Sequence, residues 1–210
     1  MNQLEKRVND ILANLKLVGA QVIKEKMVCV NDPDYLQEKQ KLLDEMAREQ
    51  GRKPKRAIVE EFEYLRIMSE AELQVVLVAL LPIIKLEERP QPDKCKYMIG
   101  TQAGVLMIKT NQIMIRVGGG FATLEEHIRQ VGPFECIKIY KLMKGNPEKK
   151  EPSHTFKEAV TFYLEKLKTS DRIVRVWLST EDEKQMDLFE NAIEYLKRKQ
   201  DEAATKFSAD

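Results

Sequence analysis

The apolar positions of this chain change period as it proceeds. Up to about Met27, Leu4, Val8, Ile11, Leu15, Val18 and Val22 recur at alternating spacings of four and three. That spacing lines one stripe of a helix, as in a coiled-coil seam, and suits packing on the rest of the chain or on a partner. Asn31-Asp32-Pro33-Asp34 ends the stripe, with Asp32 placed to cap a second helix from Pro33 to Gln50. The second helix gathers Tyr35, Leu36, Lys39, Leu42, Leu43 and Met46 on one face. After the basic connector Gly51-Arg52-Lys53-Pro54-Lys55-Arg56, residues 57–68 read as a third helix. Ser69-Glu70-Ala71-Glu72 has the form of a capping box and opens a fourth. Its body, Leu73 to Leu81, is apolar nearly all round, which predicts burial on more than one side. Its β-branched content leaves a strand as the alternative reading.

From Ile83 the pattern shortens to period two. Ile83-Ile84-Lys85-Leu86-Glu87, Lys96 to Ile99, Val105 to Lys109 and Ile113 to Val117 read as strands separated by turn residues. Thr110-Asn111-Gln112 predicts a tight hairpin. The last strand runs into Gly118-Gly119-Gly120-Phe121 and then a helix start at Thr123-Leu124-Glu125-Glu126-His127-Ile128. Without Cβ atoms the backbone there can turn sharply or meet another surface closely. The spacing is neither that of a P-loop nor that of a dinucleotide fingerprint. A helix of about nine residues is expected next, then Cys136 to Leu142 alternating as a fifth strand. After a loop over 144–152, Phe156 to Lys168 reads as a helix and Arg172 to Leu178, with the only tryptophan, as a strand. Thr180-Glu181-Asp182-Glu183 resembles a second capping box, opening a helix striped by Met186, Phe189, Ile193 and Leu196. The expected class is α+β: a small antiparallel-sheet module flanked by N-terminal helices and a C-terminal helix-strand-helix region. The expected divisions are 1–82, 83–145 and 146–210.

Composition narrows the setting. Of 210 residues, 43% are hydrophobic and 33% charged, as in an ordinary water-soluble protein. No apolar run approaches a spanning length, and the charged start Met1-Asn2-Gln3-Leu4-Glu5-Lys6 is unlike a signal peptide. Three scattered cysteines point to a reducing compartment. The expected location is therefore cytoplasm or cytoskeleton. Net charge is only +1, but residues 85–150 hold twelve Lys/Arg against seven Asp/Glu. Basicity of this degree can draw an acidic polymer if it gathers on one face, yet is too modest to imply nucleic-acid binding.

The wording around the glycines is more specific than the glycines themselves. Tyr97-Met98-Ile99-Gly100, then Val105 to Lys109, then Ile113-Met114-Ile115-Arg116-Val117-Gly118-Gly119-Gly120-Phe121, with Leu124, Glu126 and Ile128 following, run without a gap. This stretch resembles the GAR module, the microtubule-binding domain of growth-arrest-specific and spectraplakin proteins. Phe121 stands where the family has tryptophan. The family's Cys-x-Cys and Asp-Pro-Cys, which look like a zinc site, are missing. Gly132-Pro133-Phe134 occupies the second position, and Cys29, Cys95, Cys136, His127 and His154 lack paired ligand spacing. No metal or other cofactor is expected.

Catalysis has no set of residues to carry it. His127 is expected at the module's edge, His154 in a loop beside capping residues, and Glu125-Glu126 at a helix start. The resemblance implies a non-enzymatic structural protein whose partner is tubulin in the microtubule lattice. Candidate contacts are Lys94, Lys96, Lys109, Arg116, Lys138, Lys141 and Lys144, with Gly118, Gly119 and Gly120 as a structural turn. Arg116 is out of phase with Ile115 and Val117, so it either points away from their face or braces the glycine turn through backbone carbonyls. No calponin-homology, EF-hand or spectrin pattern accompanies the module here, which suits a component of a stable assembly such as a ciliary axoneme. The alternative is a scaffold that binds axonemal or other cytoskeletal proteins through its N-terminal amphipathic helix without touching tubulin. Neither reading involves nucleic acid or membrane.

Overall fold

The computed structural model describes residues 1–209. Four helices come first: α1 (Gln3–Val30), α2 (Pro33–Gln50), α3 (Glu63–Arg66) and α4 (Glu70–Leu80). Five strands follow: β1 (Ile83–Lys85), β2 (Lys94–Ile99), β3 (Gln102–Lys109), β4 (Gln112–Val117) and β5 (Gly120–Thr123). The chain then forms α5 (Leu124–Lys144), a short 3-10 turn at Pro147–Lys149, α6 (Phe156–Lys166), α7 (Asp171–Thr180) and α8 (Glu183–Ala209). The strands make one antiparallel meander in the order β1-β2-β3-β4-β5. This is the α+β architecture expected, a sheet flanked by helices from both ends of the chain.

Polar side chains fix where the helices begin. Asp32 accepts from the Asp34 N–H ahead of α2, and Thr155 from the Glu158 N–H ahead of α6. Before α4 the capping box is complete: Ser69 Oγ accepts from the Glu72 N–H at 3.1 Å, and the Ser69 N–H donates to Glu72 Oε1 at 3.0 Å. The fourth segment is thus a helix, not a strand. It lies at the centre, packed on α1, α5 and α8, with Leu73, Val76, Leu77 and Val78 buried. Its apolarity on all sides follows from that position. The core runs unbroken from Leu4 and Val8 through Met98 and Leu106 to Ile193 and Leu196.

The α1 stripe turns inward at Leu4, Val8 and Leu15, while Val18 stays exposed. A strict seven-residue repeat drifts around a straight helix, so contact passes to Gly19. There α1 and α4 cross so closely that a Cβ on Gly19 would stand 2.8 Å from the Ala79 Cβ. α2 buries only Ala47, and Leu42 and Met46 of its expected face are exposed. It is held instead by Glu63, which accepts from the Tyr35 hydroxyl at 3.0 Å and pairs with Lys39.

Several expected elements take another form. Residues 136–142 are not a fifth strand but the second half of α5, because Ile128, Gly132, Cys136, Ile139, Tyr140 and Met143 recur at helical spacing and are buried. Pro133 sits inside that helix, and the fifth strand is Gly120–Thr123. Residues 172–178 lie in α7 rather than in a strand, capped by Ser170, whose side chain accepts from the Ile173 N–H. The third helix covers only Glu63–Arg66 of the expected 57–68. α8 is opened by Asp182, which accepts from the Lys184 N–H at 2.9 Å, rather than by Thr180.

Candidate functional site

Register alone divides the sheet into two faces, since alternate residues point oppositely and cross-strand partners point alike. One face carries Cys95, Tyr97, Leu106, Ile113 and Ile115, all buried, with α1 and α5 packed on the sheet. Burial pushes the Cys95 thiol up to about 12 and raises the Tyr97 phenol. Lys85 reaches Glu5 of α1 at 3.3 Å from the sheet's edge.

The opposite face carries the cations. Lys94 lies beside Met107, which lies beside Met114, which lies beside Thr123. Lys96 lies beside Val105, Lys109 beside Gln112, and Arg116 beside Phe121. Lys94, Lys96, Lys109 and Arg116 are all exposed, and no Asp or Glu occupies a strand position on this face. Lys109 holds its Nζ 3.8 Å from the centre of the Phe121 ring, a cation–π contact. Arg116 points away from buried Ile115 and makes no side-chain hydrogen bond among the described residues, so nothing in the geometry has it bracing the turn. Between the cations lie Val105, Met107 and Met114, half-buried, and beyond Arg116 on the edge strand lies Phe121, 42% exposed. Sequence reasoning had passed over these four apolar residues. The alternation of Val105, Met107 and Lys109 on one strand with Met114 and Arg116 on the next was the available signal.

The glycines form a hairpin turn, not the strand-to-helix junction the sequence suggests. Val117 pairs with Gly120 across the two-residue loop Gly118-Gly119. Only Gly118 has a left-handed φ, 55°, which places glycine at the first central position of a type II′ turn. A Cβ on Gly119 or Gly120 would meet nothing within 4 Å. At the sheet's other end Thr110 (φ 48°) and Asn111 (φ 61°) make the β3–β4 turn with the two positive φ values of type I′. Arg7 of α1 donates to Asn111 Oδ1 at 2.7 Å and ties that turn to the helical layer.

The three remaining candidate lysines belong to α5, behind the sheet. Lys138 pairs with Glu135 at 3.0 Å, and Lys144 with Glu194 of α8 at 2.8 Å. The hydrogen bond to Glu194 raises the Lys144 pKa and lowers that of Glu194. Lys141 is exposed. The seven candidates therefore separate into four that share a face and three that do not join it. Among the described residues no three His, Cys, Asp or Glu gather as metal ligands. Cys95 and Cys136 are buried and Cys29 is exposed. His127 is half-buried, which lowers its pKa. His154 lies beside the α6 cap, 3.4 Å from Glu158. No helix among the described residues is long and apolar enough to cross a membrane.

These features describe a helix-backed antiparallel sheet whose basic face is open around Lys94, Lys96, Lys109 and Arg116, whereas Ile84 and Met98 at its β1–β2 side are buried. Residues 87–136 match the model of the Growth-Arrest-Specific Protein 2 Domain, a span that takes in β2 to β5 and the first half of α5. In that span the chain is similar to the domain. No curated protein and no solved structure matches the chain.

Proposed function

We propose that this chain is a non-enzymatic, microtubule-associated structural protein that binds tubulin through the outer face of β2–β5. The observation that carries the reading is the one-sidedness of the sheet: Lys94, Lys96, Lys109 and Arg116 share a face without a strand carboxylate. The matched domain supports a cytoskeletal association. Lys138 and Lys144 are committed to glutamates and contribute to the fold, so the contact rests on the sheet's four cations. Exposed ion pairs contribute about 0.2–1 kcal/mol each, so four of them steer and orient more than they hold. Binding should accordingly weaken as salt rises. A stable microtubule assembly, such as an axoneme, presents many such acidic sites side by side.

Co-sedimentation with taxol-stabilised microtubules tests the proposal. Pelleting at low salt, reduced by added salt and abolished by Lys109→Glu/Arg116→Glu with the fold intact by circular dichroism, is the expected result. Failure of the folded wild-type protein to pellet at low salt overturns it.

A scaffold reading has one observation in its favour. Leu17 and Val28 of α1 and Leu42 and Met46 of α2 are exposed, although Leu4, Val8 and Leu15 of the N-terminal stripe are used by the core. A helical partner would find its apolar contacts there, away from the sheet.

A further inference from the structure

We infer that the outer sheet face docks on an ordered, folded part of tubulin with an acidic rim and an apolar centre, rather than on tubulin's disordered acidic tails. This deepens the tubulin-binding proposal and rests on it. The reason is the layout of the face. Lys94 and Lys96 stand on β2 at one side, with Lys109 and Arg116 toward opposite ends of the β3–β4 hairpin. Between them Val105, Met107 and Met114, half-buried, form an apolar centre, which exposed Phe121 extends beyond Arg116 onto the edge strand β5. This arrangement of apolar core and charged rim is that of a protein–protein interface, in which the centre is desolvated and the rim remains wet.

A disordered glutamate-rich tail satisfies the rim but leaves the centre wet, because it has few apolar side chains to place there. It would also lose conformational freedom on lying flat across a sheet. An ordered surface loses little freedom and can cover all four apolar side chains together. Three details make this face suited to a rigid partner. The Lys109 ammonium sits 3.8 Å over the Phe121 ring, so the cation nearest the centre is already positioned. Methionine adapts its shape to irregular contacts, and two of them, Met107 and Met114, are cross-strand neighbours at the middle of the patch. The hairpin turn at Gly118-Gly119 adds no side chain that would hold a flat partner away.

The test uses the full chain and two lattice preparations: intact microtubules and microtubules whose C-terminal tails have been removed by subtilisin. Wild-type protein is compared with Met107→Gln/Met114→Gln, which keeps side-chain length and all four cations. Retained binding to trimmed microtubules within a few-fold of the intact lattice, with about a tenfold loss for the double variant on both, is expected. Binding lost on trimming overturns this inference while leaving tubulin binding itself in place. Retained binding that the methionine substitutions do not change overturns the apolar centre. No binding to either lattice overturns the underlying proposal, and this one with it. Thermal melts of the double variant show that a loss is not unfolding.

Discussion

Glu135 of α5 reaches across to the β2–β3 turn and accepts two hydrogen bonds from Thr101, one from its N–H at 2.8 Å and one from its hydroxyl. Glu135 and Thr101 are both buried, and Lys138 closes the arrangement by pairing with the other carboxylate oxygen at 3.0 Å. The turn begins with Gly100, whose φ is 65° and whose missing Cβ leaves room for Glu135. α5 starts directly from β5 at the opposite end of the sheet. The contact therefore ties α5 to the end of the sheet opposite the one from which the helix starts.

Removing that carboxylate should cost more than a surface change. Glu135→Ala leaves the Thr101 N–H buried without an acceptor, a loss of about 2–4 kcal/mol. Glu135→Gln keeps one acceptor oxygen and should cost about half as much. Gly100→Ala should be severe, since its Cβ would stand 2.5 Å from the Glu135 Cβ at a left-handed φ. Urea unfolding of the three variants measures the order.

Stability at acid pH should depend on the α4 cap. The Glu72 carboxylate has a lowered pKa, first because the Ser69 backbone N–H donates to it, with Lys26 of α1 adding an ion pair at 3.1 Å. A lowered folded-state pKa means that the stabilisation is present above the unfolded carboxylate value and lost as pH falls through the folded one. Glu72→Gln should therefore lower the melting temperature at neutral pH, and the gap from wild type should close in acid. A gap that persists or grows as pH falls would refute the linkage. The half-buried His127 acts in the same direction. Its folded pKa is lowered by desolvation, so the unfolded chain takes up the proton first and stability falls as pH drops through the histidine range. His127→Gln should flatten that part of the profile.

What the sequence made legible was local chemistry whose signals agree. The Ser69/Glu72 box, the Asp32-Pro33 start, the hairpin at Thr110-Asn111 and the period-two strands all have the form expected. The failures share a physical cause. Cys136 to Leu142 and Arg172 to Leu178 are rich in β-branched residues and alternate over a few positions, yet each also fits a helical spacing. Tertiary burial selects between the two. Cys136, Ile139, Tyr140 and Met143 are buried as a helical set, as is Trp177 in α7. Gly132, inside α5, is a close-contact point where an added Cβ would stand 2.9 Å from the Val78 Cγ2. Part of the sheet's layout was legible because strand alternation sets Arg116 out of phase with buried Ile115. Lys138 and Lys141 were expected on a strand and Lys144 in a loop, and all three belong to α5.

The three thiols should divide by access. Cys29 is exposed, whereas Cys95 and Cys136 are buried and both have pKa values raised by burial. The native protein should titrate one thiol rapidly with a chromogenic disulfide reagent, and three in urea. Rapid reaction of a second thiol in the native protein would mean that the β2 face or the α4–α5 contact opens. Cys136 Sγ lies 3.7 Å from the Leu77 carbonyl, which makes it a reporter for that contact.

The glycine turn offers the sharpest separation of folding from binding. Gly118 needs its left-handed φ, so Gly118→Ala should cost about 1 kcal/mol through backbone strain alone. Gly119 and Gly120 have neither a left-handed φ nor a neighbour within 4 Å of an added Cβ. Alanine at either position should leave the melting temperature unchanged within the error of about 0.5 kcal/mol expected for surface changes. Their effect on microtubule pelleting then speaks only of the partner. If the turn rests against tubulin, Gly119→Trp should weaken co-sedimentation severalfold without destabilising the protein, because a large side chain would hold the sheet away from the lattice. If pelleting is unchanged, the partner meets the sheet only from β2 through the middle of β4, and Lys94 and Lys96 become the more sensitive positions for charge reversal.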